Sequence, residues 1–278
     1  MKNRAIAVGI GLLALVGGIA CDGPQGQAGN TNSPGIEKFR RAGPEEVTLQ
    51  PVGSCTRFLP PQSGANTRPG LGWSNGTFAR PANYEQILRR VASFGTLVTA
   101  ANTTQSGSGA AESQCIDELD AARNDSNGRF ASSGHSQGGS GSINAGPLNN
   151  KIVVSCPVQL DGTVTARSDG ANLRGSANGP AVIMCGSADI LAPCNRQGNG
   201  DGKFNESRVP TIILTAVGAP HIGNGSPANG NGNSGLYPAL VTACVEAALD
   251  GDAQALAALR PGGVANSGAL TNIRRRGF

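Results

Sequence analysis

The chain has 278 residues, long enough for one large α/β domain with a continuous core. Lys and Arg number 22 against 18 Asp and Glu, and two of the four net positive charges sit on Lys2 and Arg4, so the nearly balanced remainder makes no electrostatic case for nucleic acid. Two histidines and no Cys-x-x-Cys pair argue against a metal site, and no residue pattern calls for a cofactor.

In chain order, the first feature is an export signal over residues 1–20. Lys2 and Arg4 supply its positive start, and Ala5–Ala20 is an apolar run too short to span a bilayer as a helix. No later apolar stretch is long enough to cross a membrane. Gly18-Ile19-Ala20 before Cys21 resembles a bacterial lipoprotein signal, although Gly18 stands where that motif usually has leucine. Two readings therefore stand: a lipidated Cys21 attached to a membrane, or ordinary cleavage nearby and secretion. Setting Cys21 aside leaves six of the seven cysteines: Cys55, Cys115, Cys156, Cys185, Cys194 and Cys244. In an oxidising compartment these favour disulfides over metal binding, in pairings that spacing does not resolve. Residues 21–49, rich in Gly, Pro, Asn and Gln, read as a flexible linker, with the domain occupying 50–278 and its globular part beginning near Thr48.

Within the domain, Gly70–Ser74 is a short apolar stretch. Tyr84, Ile87, Leu88 and Val91 have helical spacing, Thr96–Ala101 is β-rich, and Ile116, Leu119 and Ala122 form a stripe on a helix over Ser113–Arg123. Arg129–Ser133 leads into Gly134-His135-Ser136-Gln137-Gly138, and a small-residue helix follows. Further strands are predicted at Lys151–Cys156, Ala181–Cys185 and Thr211–Val217, with a final helix over Tyr237–Leu249. The Gly/Asn clusters at 198–202 and 223–235 read as loops, and Arg274–Arg276 as a solvated basic run at a frayed terminus. Alternating strands and helices predict a mostly parallel sheet flanked by helices, with ligands at the carboxyl ends of its strands.

The motifs fall at those strand ends. A Gly-x-Ser-x-Gly turn sets its serine on a strained strand-to-helix corner, which makes Ser136 the candidate nucleophile. A serine hydroxyl needs an imidazole to take its proton. His135, adjacent in sequence, points away, which leaves His221 in Gly218-Ala219-Pro220-His221 as the base. Asp189 follows the strand Ala181–Cys185 and is the favoured acid, with Asp161 as its rival one strand earlier; Asp201 and Glu206 read as solvated. The oxyanion hole is expected from the backbone N–H of Gln137 and of Thr77, with Phe78 the second choice for the latter.

Gly72–Ala79, Tyr84–Arg90, Phe94–Val98, Ala100–Thr103, Gly134–Gly139, Gly186–Pro193, the approach to His221 and Leu249–Asp252 together resemble bacterial cutinase-like polyester hydrolases and their chlorophyllase-like relatives. The resemblance spans roughly residues 70–252. It implies an α/β-hydrolase fold without a large lid, with an open groove for an ester substrate and with Ser136, Asp189 and His221 in the roles above; the chain is expected to be a monomer. It also implies a cleft bordered by Phe78, His135 and Leu160. Thr77 and Leu160 stand where those hydrolases usually carry aromatic residues, which argues against aromatic polyesters. The expectation is an exported serine ester hydrolase acting on acyl esters or aliphatic polyesters. A phospholipid acyl esterase and a catalytically silent binding lipoprotein are the alternatives.

Overall fold

The computed structural model describes residues 34–161, 165–196, 198–224, 226–227, 235–260 and 270–278. The signal 1–20 and Cys21 lie outside the described residues. Helix α1 (Pro34–Arg40) comes first, then strands β1 (Thr48–Val52), β2 (Cys55–Leu59) and β3 (Arg68–Ser74). A 3₁₀ turn (Pro81–Tyr84) runs into α2 (Glu85–Ala92), followed by β4 (Leu97–Ala101), α3 (Ala110–Ala122), β5 (Ser126–Ser136), α4 (Gln137–Leu148) and β6 (Ile152–Leu160). The remainder comprises β7 (Ala181–Gly186), α5 (Gly200–Glu206), β8 (Thr211–Ala216), α6 (Leu236–Val245), a π-helical turn (Glu246–Asp250), α7 (Ala253–Leu259) and β9 (Leu270–Arg276).

The described strands form one nine-stranded sheet in the order β1-β2-β4-β3-β5-β6-β7-β8-β9. From β4 to β8 every pairing is parallel, while β1, β2 and β9 run antiparallel at the two edges. Both faces of the central strands are buried, so their side chains alternate between two apolar layers rather than between core and water. In β7, Val182 and Met184 join the layer under α1, α2 and α6, while Ala181, Ile183 and Cys185 join the layer under α4 and α5. β8 repeats this with Ile212 and Leu214 on one side and Ile213 on the other. Helix α6 is buried along its whole length because α1, α2 and α7 cover what the sheet does not. Three disulfides join Cys55 to Cys115, Cys156 to Cys244 and Cys185 to Cys194. Among the described residues no helix is long and apolar enough to cross a membrane.

Three expectations need correction. Residues 34–49 are not a flexible linker. Ile36 and Phe39, three apart on one face of α1, are fully buried against α6 and α7, and β1 begins the sheet at Thr48. The Arg274–Arg276 run is not frayed, because it lies in β9 and pairs with Thr211–Ile213 of β8 as a charged edge strand. The 198–202 cluster is not all loop, because α5 begins at Gly200; Asp201 and Glu206 lie on that helix and stay solvent-accessible as expected. Asp201 forms an ion pair with Arg274, and Glu206 accepts from the Gly170 N–H at 2.9 Å and from Lys203 Nζ at 3.2 Å.

Candidate active site

The corner between β5 and α4 fixes Ser136. Its φ of 59° lies in the left-handed region, which a non-glycine residue adopts only where the surroundings enforce it. The parallel ladder supplies that enforcement, since the Asp161 N–H donates to the Ser136 carbonyl at 3.1 Å from the next strand. The side chain thereby faces the loops at the carboxyl ends of β7 and β8. His221 Nε2 lies 2.7 Å from Ser136 Oγ, and His221 Nδ1 lies 2.7 Å from Asp189 Oδ2. All three side chains are buried. Asp189 Oδ1 accepts from the N–H groups of Leu191 at 2.9 Å and Ala192 at 2.8 Å, so the carboxylate is gripped by its own loop. The Cys185–Cys194 disulfide closes that loop, with the two Cα atoms 5.6 Å apart. With Nδ1–H directed at Asp189, the imidazole presents its Nε2 lone pair to the serine hydroxyl.

The structure thus brings Ser136, His221 and Asp189 together and leaves Asp161 aside. The Asp161 carboxylate accepts from Thr165 Oγ1 instead. The loop after β3 lies on the opposite side of Ser136. Asn75 anchors it, donating from Nδ2 to Thr103 O at 3.0 Å and from its backbone N–H to Ser106 Oγ at 3.1 Å. Within this loop the Gly76 N–H is donated to Tyr84 Oη at 3.0 Å and the Phe78 N–H to Thr104 O at 3.3 Å. The Thr77 N–H between them makes no hydrogen bond among the described residues. Gln137 opens α4, so its N–H lacks a helical acceptor. Its side chain accepts from the Ser106 N–H at 2.9 Å and so braces the same loop.

A cleft of about 440 Å³ opens over these groups. Phe78, Ile190, Leu191 and Ile222 stand exposed around it, Phe78 and Ile190 at more than four-fifths of their surface. Asp161 and Arg196 add a charged sector. His135 borders the cleft only from below: it is 2% exposed, its ring centroid lies 4.8 Å from that of His221, and its Nδ1 is 3.0 Å from Tyr84 Oη. Burial, reinforced by the neighbouring His221, holds the His135 pKa well below the usual histidine range, so the ring is neutral.

Leu160 does not border the cleft. Val154, Cys156 and Val158 face one apolar layer, but Gln159 takes a φ of 40° and breaks the alternation. Leu160 therefore turns under α4 and packs with Ile143 and Leu173. Sequence reasoning also passed over Ile190, Leu191, Ile222, Tyr84 and Gln159 as parts of this region. The first three carried a signal, since each is a large apolar residue next to Asp189 or His221 in a strand-end loop. Tyr84 was legible only as a member of a helical stripe, and nothing in the sequence marks Gln159. No group of three or more His, Cys, Asp or Glu able to hold a metal occurs among the described residues. No protein-family model matches the chain, and no curated protein matches it.

Proposed function

We propose that this chain is a serine carboxylic-ester hydrolase with an α/β-hydrolase fold, working through an acyl-enzyme. The observation that carries the reading is the hydrogen-bonded series Ser136–His221–Asp189, with Ser136 on a strained strand-to-helix corner and open to a cleft. Ser136 Oγ attacks the acyl carbon while its proton passes to His221 Nε2, and Asp189 stabilises the imidazolium that forms. The carbonyl oxygen, now negative, is held by the N–H groups of Thr77 and Gln137. Collapse expels the alkoxide, which takes the proton from His221 and leaves as an alcohol. Water then repeats the sequence on the acyl-serine, giving a carboxylic acid and free Ser136.

The apolar rim favours esters whose acyl or polymer segments extend beyond the reacting bond, such as aliphatic polyesters and acyl esters. Three disulfides fit an oxidising compartment, which agrees with export by way of residues 1–20, with or without lipidation at Cys21. A fluorophosphonate probe is expected to label wild type at Ser136 and to leave Ser136→Ala unlabelled. p-Nitrophenyl butyrate is expected to release a burst of product followed by slower turnover. Failure of wild type to label would overturn the reading.

A further inference from the structure

Beneath Ser136 and His221 lies a second series of polar groups that the acyl-transfer steps do not touch. We propose that Tyr84, His135 and Gln159 form a buried hydrogen-bond relay, three positioning residues that hold the Gly76–Thr77 donor loop and the Pro220–His221 loop in fixed relation across the site. The inference rests on the ester-hydrolase reading above, which gives the two loops a common task.

The series can be followed atom by atom. The Gly76 N–H donates to Tyr84 Oη at 3.0 Å, so the Tyr84 hydroxyl proton is directed to His135 Nδ1, also at 3.0 Å. A neutral ring that accepts at Nδ1 carries its proton on Nε2. That buried nitrogen faces the Gln159 side chain and the His221 backbone, and neither His135 Nε2 nor Gln159 Oε1 makes a hydrogen bond within 3.5 Å, so this donor and this acceptor are left for each other as the middle link of the relay. Gln159 Nε2 then donates to the carbonyl oxygen of Pro220, one residue before His221, at 3.2 Å. The two outer links, Gly76–Tyr84–His135 and Gln159–Pro220, are hydrogen bonds, and a short approach of His135 Nε2 to Gln159 Oε1 joins them, which relieves two buried polar atoms that are otherwise unpaired.

The surrounding backbone is shaped to admit this series. A Cβ on Gly76 would lie 2.8 Å from Tyr84 Oη, and one on Gly186 would lie 2.1 Å from Gln159 Nε2. Glycine at these two positions is what lets the series close at each end. Gln159 keeps its left-handed backbone with its side-chain nitrogen bonded to Pro220 and its oxygen buried, as expected of strain retained for a purpose. Tyr84 is held against Trp73, with ring centroids 5.0 Å apart, so removing its hydroxyl leaves the ring seated.

The test compares wild type, Tyr84→Phe, Gln159→Met and the double variant on p-nitrophenyl butyrate, with amide exchange at Gly76 followed by NMR. Tyr84→Phe is expected to lower kcat about tenfold or more, because small misplacements of catalytic groups are costly, and to leave KM within about twofold. Gly76 exchange should accelerate in step. The double variant should lose less than the product of the single losses, since both break one series. His135→Asn, whose Oδ1 can still accept from Tyr84, should recover part of what His135→Leu loses. Wild-type kcat and Gly76 exchange in Tyr84→Phe would overturn the relay while leaving the esterase reading intact. If wild type itself fails to label with a fluorophosphonate, the esterase reading falls, and Gly76 exchange in Tyr84→Phe alone decides whether the relay exists.

Discussion

The two loops that flank Ser136 are held by opposite means. The loop Asn75–Phe78 is fastened by hydrogen bonds from buried polar groups: Asn75, Ser106, Tyr84 and, one residue earlier, the Ser74 hydroxyl donating to Glu112 at 2.5 Å. The loop Ser187–Pro193 is fastened by a covalent clasp, Cys185–Cys194, and by Asp189 accepting from its own backbone. On the proposed mechanism, a donor loop that presents one backbone N–H requires angular precision, which several directional bonds supply. An acid loop that carries exposed Ile190 and Leu191 has little apolar burial of its own to order it. A disulfide that closes nine residues there contributes roughly 2–3 kcal/mol by restricting the unfolded chain.

The sharpest way to break this contrast is at Asp189. Asp189→Asn keeps the shape of the acid loop but invites the wrong histidine tautomer, and is expected to lower kcat on p-nitrophenyl butyrate by about 10⁴-fold. A loss under tenfold would mean that Asp189 only shapes its loop. Next in size is Asn75→Ala, which frees the donor loop. A fall in kcat of about 10²-fold with little change in KM is expected, comparable to losing one oxyanion donor. The double substitution Cys185→Ala/Cys194→Ala should be milder, about three- to tenfold in kcat with a lower midpoint in thermal unfolding, because the two N–H bonds to Asp189 remain. Equal losses from the Asn75 and cysteine variants would erase the distinction between the loops.

The smallest expected effect concerns pH and belongs to the donor loop alone. Burial pushes the Glu112 carboxyl up to about 8, well above the usual carboxylate range, with hydrogen bonds from Ser74 and the Ser133 backbone opposing the shift. The folded state therefore holds a proton that the unfolded state has already released between pH of about 4.5 and about 8. Its contribution is fully present below that window and is lost as pH rises through it. Glu112→Gln, unable to ionise, should flatten the decline of thermal stability across this range, and denaturation profiles at pH 5 and 8.5 would reveal an unchanged slope if Glu112 were irrelevant.

Much of this arrangement was legible in the sequence because parallel strands buried on both faces appear as short apolar runs. Ala181–Cys185 and Thr211–Val217 gave two of the site-bearing strand ends to within a residue or two. Asp189 and His221 could be located relative to them. What escaped was set by tertiary context. Helix α1 hides in a Gly/Pro/Asn-rich stretch because only Ile36 and Phe39 betray its buried face. Strand β9 hides because an edge strand tolerates Arg274–Arg276, which look like a tail. The break at Gln159 leaves no trace in composition, and it moves Leu160 from the layer of Val158 to the layer under α4.

The bond between Cys156 and Cys244 has a further consequence. It closes a ring of chain that includes Asp189 and His221 but not Ser136. A single protease cut anywhere from residue 157 to 243, including the Gly/Asn-rich stretch 223–235, produces two polypeptides that stay one molecule. Such damage is invisible to a non-reducing gel and separates into two bands only after a reductant is added. In an oxidising environment the two pieces of a nicked copy therefore remain covalently joined until a reductant opens the Cys156–Cys244 bond.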